Sequence, residues 1–204
     1  GIATLKHQMG ELDKIAKLAG RTGFNSATIA GFGFAAEQSG SSVENANKAL
    51  DQFTRRMGDA ADGSGASADA LKKMGLSVSD LVNQSPEQQL FAVANAIQQL
   101  PTAALRADAA YQMFGRSGQE LVNVLATGAS GIQAFQQEAN SLGLGFDDGE
   151  LAKVEAANDA MNRISRAVGA MSASVAIELA PGIERFVTGM LNAADQAGGV
   201  GAVV

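Results

Sequence analysis

Four sets of residues in this chain have types and spacings that could do chemistry. His7 and Glu11 stand four apart, which would put an imidazole and a carboxylate on one helix face. His7 is the only histidine, however, and a lone pair of this kind reads as a solvated surface pair. Asp147-Asp148-Gly149-Glu150 gathers carboxylates as a calcium loop does, but without the alternating ligands of an EF-hand. It reads as a capped helix start. Glu178 and Glu184 flank Pro181, and paired carboxylates are the tools of glycosidic hydrolysis. No Tyr or Trp lies nearby to form a sugar platform. Gly31-Phe32-Gly33-Phe34-Ala35-Ala36 loosely fits the dinucleotide-binding GxGxxG/A pattern, which needs a preceding strand and a βαβ unit. No strand pattern precedes it, so these glycines are read as sites of close helix approach. We therefore expect no catalytic, cofactor-binding or metal-binding residues, and a chain that is not an enzyme.

Composition narrows the classes further. The 204 residues suit one domain or two small helical lobes. Cysteine is absent, which removes disulfides and thiolate chemistry. A net charge of −6 and 5% aromatics argue against sequence-specific nucleic-acid binding, which needs a basic footprint and stacking surfaces. Hydrophobic residues make up 46%, many of them Ala, alongside 24 Gly and 3 Pro. That mixture predicts thin helices joined at glycines, each burying less apolar area than a Leu-rich helix. Gly1 in place of Met and the apolar end 201–204 lead us to expect an internal segment of a longer chain. The start lacks the basic and apolar regions of a signal peptide.

The elements follow from periodicity and punctuation. We expect an all-α fold of several short helices joined at Gly/Ser corners, then a long heptad-patterned helix and a Pro-kinked terminal amphipathic helix. The N-terminal helices occupy 1–62. The first carries Leu5, Met9, Leu12, Ile15 and Ala16 on one side, and Gly20 and Gly23 end it. Asn25 or Ser26 caps the second, which Gly31 and Gly33 weaken by about 1 kcal/mol each. Ser42 opens a third, with Glu44 near the positive end of its dipole and Val43, Ala46, Leu50, Phe53, Met57 and Ala60 at helical spacing. A short-helix lobe follows over 63–148. Gly63-Ser64-Gly65-Ala66-Ser67 is read as a flexible joint, and Gly75 stops the helix after it. Ser85-Pro86-Glu87-Gln88 is a strong start: Ser at N-cap, Pro at N1 and Gln at N3. Leu90, Val93, Ala94 and Ile97 form its buried face. Leu105, Ala109, Met113 and Phe114 carry the next helix, and two short helices broken at Gly128 and Gly131 follow.

From 149 to 180 the pattern is unbroken. Val154, Met161, Val168 and Val175 recur every seven residues, with Ala157, Ile164 and Met171 at the alternate position. This is an a/d register with small flanks such as Ala160, Ser165 and Ala167, which suits a bundle of more than two helices. Pro181 kinks the run. The segment 181–204 then offers Ile183, Phe186, Val187, Met190 and Leu191 on one face, a surface for docking a partner. The most apolar run, 167–177, is short of the ~20 residues a membrane span needs. An interfacial membrane role for 167–191 is the alternative reading of this part.

One octet stands out. Phe114-Gly115-Arg116-Ser117-Gly118-Gln119-Glu120-Leu121 sets a Gly on each side of an Arg-Ser pair between two helical segments. It predicts a tight corner, with Gly115 in the αL position that ends one helix and Ser117 or Gly118 starting the next. The octet resembles the "FGRSG.EL" corner of the phage tail tape-measure family. Ala35-Ala36-Glu37-Gln38-Ser39-Gly40, Ala70-Leu71-Lys72-Lys73-Met74-Gly75-Leu76, Ser85-Pro86-Glu87-Gln88-Gln89, Gly143-Leu144 and Leu179-Ala180-Pro181 resemble further segments of that family in the expected order, over about residues 25–191. The departure is Gly31-Phe32-Gly33-Phe34, where a better helix former is expected.

The resemblance implies a structural virion protein, assembled in the host cytoplasm and located in the virion tail. Such a protein is a ruler whose helical length sets the tail tube at up to ~1.5 Å per residue. It implies a homo-oligomer of a few copies, and the small-flanked heptads favour three. It also implies contacts with the tail tube protein, the distal tail-tip hub proteins and a tail assembly chaperone, and expulsion before DNA passes. A membrane-active ejection segment that meets the host membrane is the alternative, and a peptidoglycan-degrading tail enzyme a more distant one.

Overall fold

The structure, a computed structural model, describes residues 2–63, 65–144, 148–169, 181, 182, 185, 188 and 189. Its described residues form α-helices and no strand. In chain order these are α1 (Ile2–Thr22), α2 (Ser26–Gln38), α3 (Val43–Ala61), α4 (Gly65–Lys73), α5 (Val78–Leu81), α6 (Pro86–Gln99), α7 (Ala103–Glu120), α8 (Val122–Leu125), α9 (Gly128–Ser141) and α10 (Asp148–Gly169). The chain divides into two compact units, 1–155 and 156–204.

Helix starts follow the polar caps. Asn25 accepts from the Thr28 amide at 2.7 Å, and Ser42 from the Asn45 amide at 3.1 Å. Ser85 and Gln88 complete a capping box, with both reciprocal bonds made. Ser77 precedes α5 but makes no capping bond; its hydroxyl lies 2.8 Å from that of Ser79. Helix ends are as regular. After α2, α4 and α9 the same Schellman pattern recurs, in which an amide one residue past a positive-φ glycine reaches back to a carbonyl near the helix end. Those bonds run from Ser41 to Ala36, from Leu76 to Leu71 and from Leu144 to Ala139, at 2.8–2.9 Å.

One cluster of buried side chains, running from Leu18 to Ile132, forms the core of the first unit. Helix α3 lies at its centre, packed on α7, α2, α4 and α1. Ala46, Ala49, Leu50, Phe53, Met57 and Ala60 form its buried stripe. Helix α2 packs between α3 and α9 and is buried on almost every side, from Ile29 through Gly31–Ala36. A helix so enclosed tolerates two glycines because packing, more than propensity, holds it. The flexible joint expected over 63–67 is shorter than the sequence suggested. Helix α4 already begins at Gly65, and Ser67 is fully buried in it. Likewise Gly131 does not break the chain but sits inside α9. Of the residues read as carrying α7, Ala109, Met113 and Phe114 are buried but Leu105 is 47% exposed; Ala110, not singled out, is fully buried.

The Ser67 hydroxyl is buried without a hydrogen-bond partner among the described residues. An unsatisfied buried hydroxyl costs about 1–3 kcal/mol, and Ala is the better helix former. Ser67→Ala is therefore expected to raise the unfolding free energy by about 1 kcal/mol. Urea denaturation measures this, and a loss of stability would show that the hydroxyl has a partner.

Candidate functional site

The corner singled out by sequence lies where α7 bends against α3. Phe114 ends the first helical stretch and is fully buried. Its ring stacks on Phe53 of α3 with centroids 4.8 Å apart and planes 13° from parallel; the Phe24 ring lies 6.2 Å from that of Phe53, tilted by 42°. Next, Gly115 turns the chain with φ 67° and ψ −158°. The φ is positive, as a glycine corner requires, but the ψ is far from the αL position expected from sequence. This is the extended mirror region that side chains other than glycine's essentially do not enter. A Cβ there would also lie 2.9 Å from Cγ of Gln52.

The helical stretch after the bend folds back on the first. Gly118 is buried, and a Cβ on it would collide with the Ala110 carbonyl oxygen and lie 2.5 Å from the Phe114 Cβ. Arg116 points to solvent and Ser117 is half-buried. Beyond the bend, Glu120 accepts a hydrogen bond from the Asn45 side chain, tying the corner to the start of α3. The site is thus an apolar stack behind two glycines, with one cation in front. It can hold a fixed angle between helices and present Arg116.

The other candidate sets are not drawn into one place. Gly31 and Gly33 lie inside α2. A Cβ on Gly31 would come 2.7 Å from the Gln136 backbone of α9, and one on Gly33 3.3 Å from the Val43 side chain. The GxGxxG-like run is therefore a helix-packing surface, further tied by the Gln136 amide donating to the Thr28 hydroxyl at 3.0 Å. His7 falls in α1 with its side chain outside the described set; Glu11 instead pairs with Lys14 at 2.7 Å. That hydrogen bond and charge raise the Lys14 pKa, and the Lys48 ammonium beside Glu44 lowers that carboxyl's pKa. Both pairs are solvated and mark no reactive group. Asp148 begins α10, but Asp147, Glu178 and Glu184 lie outside the described residues.

Of the heptad face, Val154, Ala157, Met161, Ile164 and Val168 belong to α10. Only the side chain of Ala157 is described, as half-buried, next to a buried Asn158 that sequence did not single out. Met171 and Val175 lie outside the described residues, as do Ile183, Phe186, Val187, Met190 and Leu191 of the docking face. Among the described residues no helix is long and apolar enough to cross a membrane.

Fold and corner together define an all-α protein with a rigid glycine bend at its best-marked sequence. Comparison with models of protein families, with curated proteins and with solved structures gives no match.

Proposed function

We propose that the chain is part of a phage tail tape-measure protein: a structural, non-enzymatic virion component that sets tail length, occupies the tail tube and takes part in tail assembly and genome ejection. The observation that carries this reading is where the resembling segments fall. Gly40, Gly75 and Gly143 are the glycines of the three Schellman ends. Ser85-Pro86-Glu87-Gln88 is the capping box, and Gly115 is the bend in α7. The resembling segments between Ala35 and Leu144 are thus the punctuation that positions one set of helices. A shared order of such segments means a shared helical layout, which is what a ruler with a folded module would keep.

In this reading the unit 1–155 is the folded module. The heptads Val154–Val175 carry the extended, self-associating length, as three parallel copies. The segment beyond Pro181 docks a tail-tip or tube partner through Ile183, Phe186, Val187, Met190 and Leu191. Deleting residues 157–170 from the full-length protein removes two heptads and keeps the register. Tails measured by electron microscopy are expected to be about 21 Å shorter, at ~1.5 Å of helix per residue. Tails that assemble with unchanged length would overturn the ruler role for this segment.

A further inference from the structure

We infer that the recess between the end of α6, the start of α7 and α8 is a carboxylate-binding site, built to receive an acidic side chain of a partner protein. The cavity has a volume of about 330 Å³ and is lined by Gln98, Ala103, Arg106, Val122, Asn123 and Thr127 among others. Arg106 is its only charged lining residue. The guanidinium is half-buried and held by one hydrogen bond, Nη1 to the Leu100 carbonyl at 2.8 Å. Its remaining donors have no acceptor among the described residues.

That sets Arg106 apart from the other cations of the first unit. Arg21, Arg55, Lys14 and Lys48 each face a carboxylate at 2.7 Å. Lys72, Lys73 and Arg116 lack one but stand in open solvent. Among the described cations of the first unit Arg56 is also half-buried, but its guanidinium lies 3.9 Å from the Asp59 carboxylate. Arg106 is the sheltered one whose guanidinium is held only by a neutral carbonyl, which leaves donors of its planar fork unfilled. A fixed guanidinium fork matches a carboxylate in two parallel hydrogen bonds. The floor is suited to the rest of an acidic side chain: Ala103 and Val122 are apolar, and Asn123 supplies an amide. Gln98 is already engaged, donating to the Thr127 carbonyl at 2.9 Å, and so stiffens the wall. The volume sits at the small end of ligand sites and leaves ample room for a Glu side chain.

The test uses glutarate as a stand-in for the acidic side chain, added to the whole chain and followed by amide NMR. Saturable shifts are expected at Asn123 and its neighbours in the recess. Arg106→Gln is expected to weaken binding about tenfold or more, since it removes the charged fork. Asn123→Asp is expected to do the same by a different route: its own carboxylate fills the recess, while Arg106 and its bond to Leu100 remain. Asn123 is exposed, so this variant decides the matter even where Arg106→Gln unfolds. Glutarate binding unchanged by Asn123→Asp, shifts absent from the recess, or equal shifts with inorganic phosphate would each overturn the inference.

Discussion

Replacing Phe53 by Ala is expected to cost the fold about 3–5 kcal/mol, the usual range for removing a buried aromatic ring. Phe53 is fully buried in the middle of α3. It contacts both Phe24 and Phe114, so its loss empties the contact between α3, the segment after α1 and the bend of α7. Neither remaining ring can fill that space by rotation alone, because Phe24 and Phe114 are themselves enclosed. A small domain is stable by only ~5–15 kcal/mol, so the variant should lie near the edge of folding. Denaturant midpoints at unchanged slope measure the loss. Phe53→Leu, which keeps most of the volume, should recover much of it. A loss below about 1.5 kcal/mol for Phe53→Ala would mean that the stack is not the centre of the core.

The ring at Phe53 was legible in the sequence, and so was its stripe. Of the expected stripe, Ala46, Leu50, Phe53, Met57 and Ala60 prove buried, while Val43 at its start is half-buried. Caps were legible too, because Asn25, Ser42 and Ser85 act within their own first turn. What could not be read was anything decided by a distant element. Leu105 has the apolar type of a core residue but is left exposed among the described residues. Gly131 looks like a breaker in isolation, yet the neighbourhood of α9 keeps it helical. The Gly-rich α2 looks weak by propensity and turns out to be the most enclosed helix, because Gly31 lets the α9 backbone come close. Ser67 looked like linker because its composition is that of a joint; burial against the core overrode it. The recess at Arg106 left no trace in sequence at all. Its walls come from three elements, and only the carbonyl of Leu100 shows that the guanidinium is held in place.

Gly118→Ala is the second substitution of large expected effect, about 3 kcal/mol of lost stability or a shifted bend. A methyl group at this position meets the Ala110 carbonyl oxygen and the Phe114 Cβ, both fixed by the helix that ends at the bend. Neither is the free end of a flexible side chain, so the strain cannot be relieved without opening α7. The comparison that isolates this effect is Gly58→Ala. Gly58 lies in α3, is exposed and has no atom within 4 Å of an added Cβ, so there the same change should stabilise by about 1 kcal/mol through helix propensity alone. Opposite signs at the two glycines would show that Gly118 is required for close approach. Arg116→Ala, two residues away and in solvent, should change stability by less than about 0.5 kcal/mol. Within one octet the two roles then separate: Gly115 and Gly118 set the angle through backbone conformation and space, while Arg116 is free to be a contact. If Gly118→Ala proved as mild as Arg116→Ala, the bend would be a passive connection, and the octet would owe its distinctness to Arg116.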